Sequence, residues 1–98
     1  MNKFEIEQQR MVDEETLHYV RGMQNTAPIT AEAVHGYLVK TRRHRDLTLT
    51  AVKLRLDYLV DKDQLKEVRE WVAGEGDVKF YKITAHGVDV IDGIVAPD

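Results

Sequence analysis

The chain reads as a mainly α fold carrying one small β-hairpin, in the order helix, helix, helix, hairpin, helix. Three observations predict this. Apolar residues recur at three- and four-residue spacings in three separate segments, the period of a helix with one buried stripe. Two runs rich in β-branched and aromatic residues, VREWVA (68–73) and VKFYKIT (78–84), flank the two glycines of GEGD. Thr84 then stands before a last short segment, in the position of a helix cap.

Residues 2–12 fit either a helix continuing into the next one or a docking arm, with Phe4, Ile6, Met11 and Val12 among Glu, Gln and Arg. From Asp13 to about Gln24 a helix is expected. Asp13 is placed as N-cap, Glu14 and Glu15 suit the positive end of the helix dipole, and Leu17, Val20 and Met23 form the stripe. Pro28 then disfavours helical geometry in Ala27. Thr30 caps a second helix over 31–40, whose apolar face is Ala33, Val34, Tyr37 and Leu38. Gly36 costs that helix about 1 kcal/mol against Ala, and a close approach by another helix would explain it. Thr48 or Thr50 caps a third helix to about Lys62, with the stripe Leu49, Val52, Leu56 and Leu59. Leu65 opens the strand region. Packing of the wing-like hairpin onto the helices accounts for Trp71 and Tyr81. The last helix, 85–94, sends Val88 and Ile91 to the core.

Ninety-eight residues, 43% of them apolar, suffice for one small domain with a modest core. The expected division is an N-terminal arm or helix extension over 1–12, a core over 13–92 and a tail over 93–98. No apolar run approaches the roughly 18 residues of a membrane span, and the first residues lack the apolar region of a signal peptide. With no cysteine there is no disulfide and no thiolate metal site, and a cytoplasmic setting fits. Neither serine nor cysteine is present as a nucleophile. His18, His35, His44 and His86 form no i, i+4 pair, and no carboxylate cluster joins them at a metal-ligand spacing. The reading is therefore of a protein without cofactor, metal or catalytic residues, not an enzyme. His35, between Val34 and Gly36, is expected to be partly packed.

The charge pattern is more informative. The formal net charge is -3. Residues 40–55 nevertheless hold Lys40, Arg42, Arg43, Arg45, Lys53 and Arg55 against Asp46 alone, while the residues on either side are acidic. Basic residues thus crowd at the start of the third helix, in a chain that as a whole should repel polyanions. Such asymmetry points to a polyanion-facing patch.

The stretch TAVKLRLDYLVDKDQL (50–65) resembles the third helix and exit of winged helix-turn-helix proteins. Leu56 and Leu59 stand as the Leu-x-x-Leu pair, VDKD (60–63) as the charged turn and Leu65 as the first residue of the wing. YKITAHGVDVID (81–92) looks like the exit of the wing, with a glycine three residues after Thr84. The match is to bacterial regulators of the MarR- and PadR-like kind, over roughly residues 13–92. Two positions depart from the pattern. Asp63 stands where glycine is usual, at a place that often needs positive φ. The wing tip, AGEGDV (73–78), carries Glu75 and Asp77 where Lys or Arg is usual. Such a wing is either structural or touches phosphate through Arg69 and Lys79 on its strands.

The resemblance implies sequence-specific binding of duplex DNA by a small transcriptional regulator, with the third helix in the major groove. Thr48, Thr50, Ala51, Lys53 and Arg55 are then the base-reading candidates. Lys40, Arg42, Arg43, His44 and Arg45, with Arg69 and Lys79, are the phosphate candidates. A homodimer on two half-sites is expected, its surface drawn from Phe4, Ile6 and Met11 and from Val90, Ile94 and Val95. The rival is a winged-helix protein-interaction module, favoured by the acidic tip, or an accessory protein of a phage or plasmid that reads no DNA itself. The rival gains if Glu70, Glu75 and Asp77 fold over the basic surface.

Overall fold

The computed structural model describes residues 2–97. Its elements are α1 (Lys3–Met23), α2 (Ala31–Lys40), α3 (Leu49–Asp61), β1 (Leu65–Val72), β2 (Gly76–Ile83) and α4 (Ala85–Ile91). The order is the expected one. Of the two readings of residues 2–12 the helix is the one observed, since residues 3–12 are the first turns of a 21-residue helix. Asn2 caps it, its side-chain oxygen accepting from Glu5 N at 2.9 Å. Asp13 is therefore a mid-helix residue and not a cap, because helical geometry already runs through it.

Three threonines start the other helices. Thr30, Thr48 and Thr84 each accept from a backbone N–H three residues on, satisfying one of the donors a helix start leaves open. Thr50, the alternative cap of α3, lies inside the first turn of that helix.

The core is where α1, α2 and α3 meet. Val12, Leu17, Val20, Val34, Leu38, Val52, Leu56 and Leu59 are buried there, and Leu65 and Tyr81 close it from the root of the hairpin. The α3 stripe is as the spacing predicts, with Leu49 partly buried at its start. Tyr19 stacks on Tyr37 with centroids 4.4 Å apart, fixing α1 against α2. No heavy atom lies within 4 Å of where a Cβ on Gly36 would be, so no neighbouring helix requires that glycine.

β1 and β2 form a two-stranded antiparallel sheet in the register Leu65↔Ile83 to Val72↔Gly76, longer at its root than the β-branched runs suggest. Gly74 and Gly76 take positive φ at its turn. Tyr81 N donates to Ile29 O at 2.9 Å, which ties the segment before α2 onto β2. Trp71 does not pack on the helices: it is 79% exposed near the wing tip. Its place far from the root of the hairpin carries its ring to where no helix reaches.

The wing returns to the core through one tight junction. Asp63 holds φ at 58°, the left-handed geometry expected of its position. Thr84 Oγ1 donates to Asp63 O at 2.5 Å while the same hydroxyl caps α4. Gly87 is buried directly over Gln64, and a Cβ there would fall 3.0 Å from the Gln64 carbonyl carbon and 2.8 Å from Ile83 Cγ1. α4 ends at Ile91, earlier than expected, with Asp92 as its C-cap. Val90 and Ile91 pack against the core; Val88 is only half-buried and is not among the side chains against it. Arg21 bonds Asp92 at 2.7 Å and anchors α4 to α1.

Candidate nucleic-acid interface

The segment that links α2 to α3 is shaped by one carboxylate. Glu15 on α1 is buried, yet two side chains of this loop, Arg42 and His44, reach it. Arg42 Nε donates to Glu15 Oε2, and His44 Nε2 lies 2.8 Å from Glu15 Oε1. Arg43, between them, takes a left-handed φ of 62° and is exposed. That conformation costs a residue with a Cβ roughly 1 kcal/mol, and the two bonds to Glu15 on either side hold it. His35 Nε2 lies 2.8 Å from Leu47 O, which pins the far end of the loop to α2 and agrees with the partial packing expected of that histidine.

The Lys, Arg and His side chains of the basic segment therefore fall into two groups. Arg42 and His44 are bound to Glu15. Arg55 is held by Asp13, with Nε to Oδ1 at 2.9 Å and Nη2 to Oδ2 at 2.5 Å, and its guanidinium sits 4.3 Å from the Tyr58 ring centroid. It faces α1, not outward. Lys40, Arg43, Arg45 and Lys53 have no ion pair among the described residues, and Lys40, Arg43, Arg45 and Lys53 all keep solvent access. Lys40, Arg43 and Arg45 lie at the end of α2 and in the loop, directly before the N-terminus of α3.

On α3 itself, Thr48 and Thr50 border the helix start, and Ala51 is half-buried in a groove between the loop and the first half of α1. The buried stripe fixes which residues face away from the core. These include Thr50, Leu54, Asp57 and Asp61, all exposed. Leu54, 64% exposed at the middle of that face, is absent from the sequence-based candidates. The signal for it is present in the spacing, since a leucine two residues beyond Val52 and two before Leu56 points away from a stripe that contains both. Asp57 and Asp61 make the second half of the same face acidic.

The wing offers less positive charge than its composition suggests. Arg69 bonds Glu67 at 3.2 Å and Asp77 at 3.3 Å, and Lys79 bonds Glu67 at 3.1 Å. The Glu67 carboxyl is held below the usual carboxylate range by Lys79, with Arg69 adding to the effect. The groove between α3 and the wing, about 340 Å³, is lined by Lys53 and Lys79 but also by Glu32, Asp57 and Asp77. The two flanks of α3 thus differ. The loop side presents Lys40, Arg43 and Arg45 without ion pairs, with Glu5 and Asp46 as the carboxylates beside them, and the wing side sets Lys53 and Lys79 among three carboxylates.

Among the described residues, no group of three or more His, Asp or Glu side chains is placed to hold a metal ion, and no helix is long and apolar enough to cross a membrane.

No protein-family model matches the chain, and no curated protein matches it. Among solved structures the chain is similar to a PadR family transcription regulator from hypervirulent Clostridium difficile R20291. The TM-score is 0.67 at 15% sequence identity, over 85% of this chain and 81% of that one. Four helices around a two-stranded wing, superimposed over that length, establish the winged helix-turn-helix fold of this chain.

Proposed function

We propose that this protein binds duplex DNA sequence-specifically, as a small cytoplasmic transcriptional regulator that works as a homodimer without cofactor or catalytic chemistry. The observation that carries the reading is the juxtaposition of Lys40, Arg43 and Arg45 with the exposed N-terminal half of α3. Phosphate contacts from the loop set the register, and the helix start reaches base edges. Thr50, Ala51 and Leu54 supply apolar contacts of the kind that meet a thymine methyl, and Lys53 supplies a donor for guanine or phosphate. The fold shared with a transcription regulator supports the same reading at the level of architecture. Arg42 and His44 act in it through the shape of the loop, and Arg55 through the seating of α3 on α1.

A second reading has its own support. The carboxylates Glu32, Asp57 and Asp77 along the α3–wing groove, with the exposed Trp71 nearby on β1, suit a basic protein partner better than a phosphate backbone.

The test is binding to random-sequence duplex DNA across a salt series. The slope of log affinity against log salt falls by about 0.9 for each phosphate that the protein ceases to neutralise. Arg43→Ala/Arg45→Ala is expected to lower the slope by about two units, and Arg42→Ala by less than one. A chain that binds no DNA even at low salt would favour the protein-partner reading. Selection from a randomised duplex pool then checks specificity, with Leu54→Ala expected to relax the preference at one position.

A further inference from the structure

The first turns of α1 project beyond the core. Residues 2–8, 10 and 11 are exposed, and burial begins in earnest only at Val12. Phe4 is 73% exposed and Met11 55%. They lie seven residues apart on one helix face, with Gln8 between them. Beside them runs a second row at i, i+4, i+7, i+11: Lys3, Glu7, Arg10 and Glu14, all exposed, with Arg10 and Glu14 bordering the groove between α1, α3 and α4. Its charges alternate plus, minus, plus, minus. Lys3, Glu7 and Arg10 have no ion pair among the described residues, and Glu14 has only His18, at 3.9 Å.

Such a row is complementary to itself when reversed. Laid antiparallel on a second copy, Lys3 meets Glu14 and Glu7 meets Arg10, each contact occurring twice about the two-fold axis. The same stagger sets Phe4 about two residues, or roughly 3 Å of helix rise, from Met11 of the other copy. Parallel pairing in register would instead set Lys3 on Lys3 and Glu7 on Glu7. Sliding the antiparallel pair so that Lys3 meets Arg10 would oppose like charges. Like charges at such spacings are destabilising, so the alternating row selects one orientation and one stagger. An isologous contact of this form is what a closed dimer requires.

We infer that the occupant of this face is a second copy of the chain, docked through an antiparallel α1–α1 contact over Lys3 to Glu14. This rests on the homodimer reading above and names its surface, leaving Ile94 and Val95 outside its centre. The contact is small beside the ~800 Å² per partner of a standard interface, so association is concentration-dependent.

Sedimentation equilibrium of the full chain over about a hundredfold concentration range tests it. Glu7→Arg places two arginines together twice and should weaken the dimer by about tenfold or more. Adding Arg10→Glu to the same chain restores the pairing of opposite signs in the antiparallel arrangement alone, and affinity should return to within about threefold. Phe4→Ala should also weaken the dimer by about tenfold or more. All three positions are exposed, so thermal melts of the variants should match that of the parent at concentrations where the parent is monomeric. Rescue by the double variant supports the antiparallel contact. A dimer indifferent to all three variants overturns this surface and leaves the homodimer reading standing. A parent chain that remains monomeric throughout overturns both.

Discussion

Removing Arg55 should damage the protein far more than removing its partner Asp13, although the two form one ion pair. The side chains are 22% and 16% exposed, and the bond is bidentate. Burial pushes the Asp13 carboxyl above its usual range, and the Arg55 hydrogen bond and charge only partly oppose that push. Arg55→Gln strips the carboxylate of its cation and leaves it desolvated, at a cost of about 3 kcal/mol near neutral pH. Asp13→Asn leaves a guanidinium that keeps the Tyr58 ring and some solvent, at a cost of about 1 kcal/mol. The pH dependence follows from the sign of the shift. With the folded pKa above the unfolded one, the stability contributed by the bound proton is complete below the unfolded pKa. It is lost as pH rises through the folded pKa. Without Arg55 the folded pKa rises further, so the penalty of Arg55→Gln should be largest at neutral pH and shrink as pH falls toward about 4. Urea unfolding of both variants and the parent at the two pH values measures this. Equal destabilisation of the two variants, or a penalty in Arg55→Gln that does not change with pH, would contradict this account of the pair.

Two glycine substitutions should have opposite signs in the same melting experiment. Gly87→Ala forces the Gln64 carbonyl and Ile83 away from α4 and should cost about 3 kcal/mol, or roughly 12–24 °C of melting temperature. Gly36→Ala meets open space in a helix and should stabilise by about 0.5–1 kcal/mol. In the wing, an NMR titration should place the Glu67 midpoint below that of a free glutamate side chain. The stability it lends is present above the unfolded pKa and lost as pH falls through the folded one. Lys79→Gln should move the midpoint up toward the ordinary value, and no movement would mean that the cross-strand pair does not form in solution.

What could be read from the sequence was local. Threonine caps, the α3 stripe and the paired glycines of the hairpin each act within a few residues, and each element they mark is where they put it. The left-handed Asp63 was legible for the same reason. The length of α1 was legible only as one of two alternatives, because an overhanging helix carries no buried stripe for periodicity to find. The fate of the cations was not legible. Arg55 meets Asp13 across 42 positions, and Arg42 meets Glu15 across 27, pairings that only the packing of α1 on α3 and on the loop creates. Trp71 illustrates the converse error. A large aromatic in a strand is usually covered, but nothing in the strand itself says how far the wing extends past the helices.

The net charge of this protein conceals how its charges are sorted. Asp13, Glu15 and Glu67 bind Arg55, Arg42, His44, Arg69 and Lys79, and these are the side chains that hold α3, the loop and the wing in place. Lys40, Arg43 and Arg45, on the loop side of α3, and Lys53, on its wing side, remain without such ion pairs among the described residues. A polyanion approaching an acidic chain is attracted only where such a local excess lies within about a Debye length, near 10 Å. It is repelled elsewhere, including at Asp57, Asp61 and the wing tip. The same sorting that rigidifies the scaffold therefore also restricts approach to one flank of the helix. On the proposed DNA-binding reading, the acidic wing leaves the loop flank of α3 as the side that a phosphate backbone would follow.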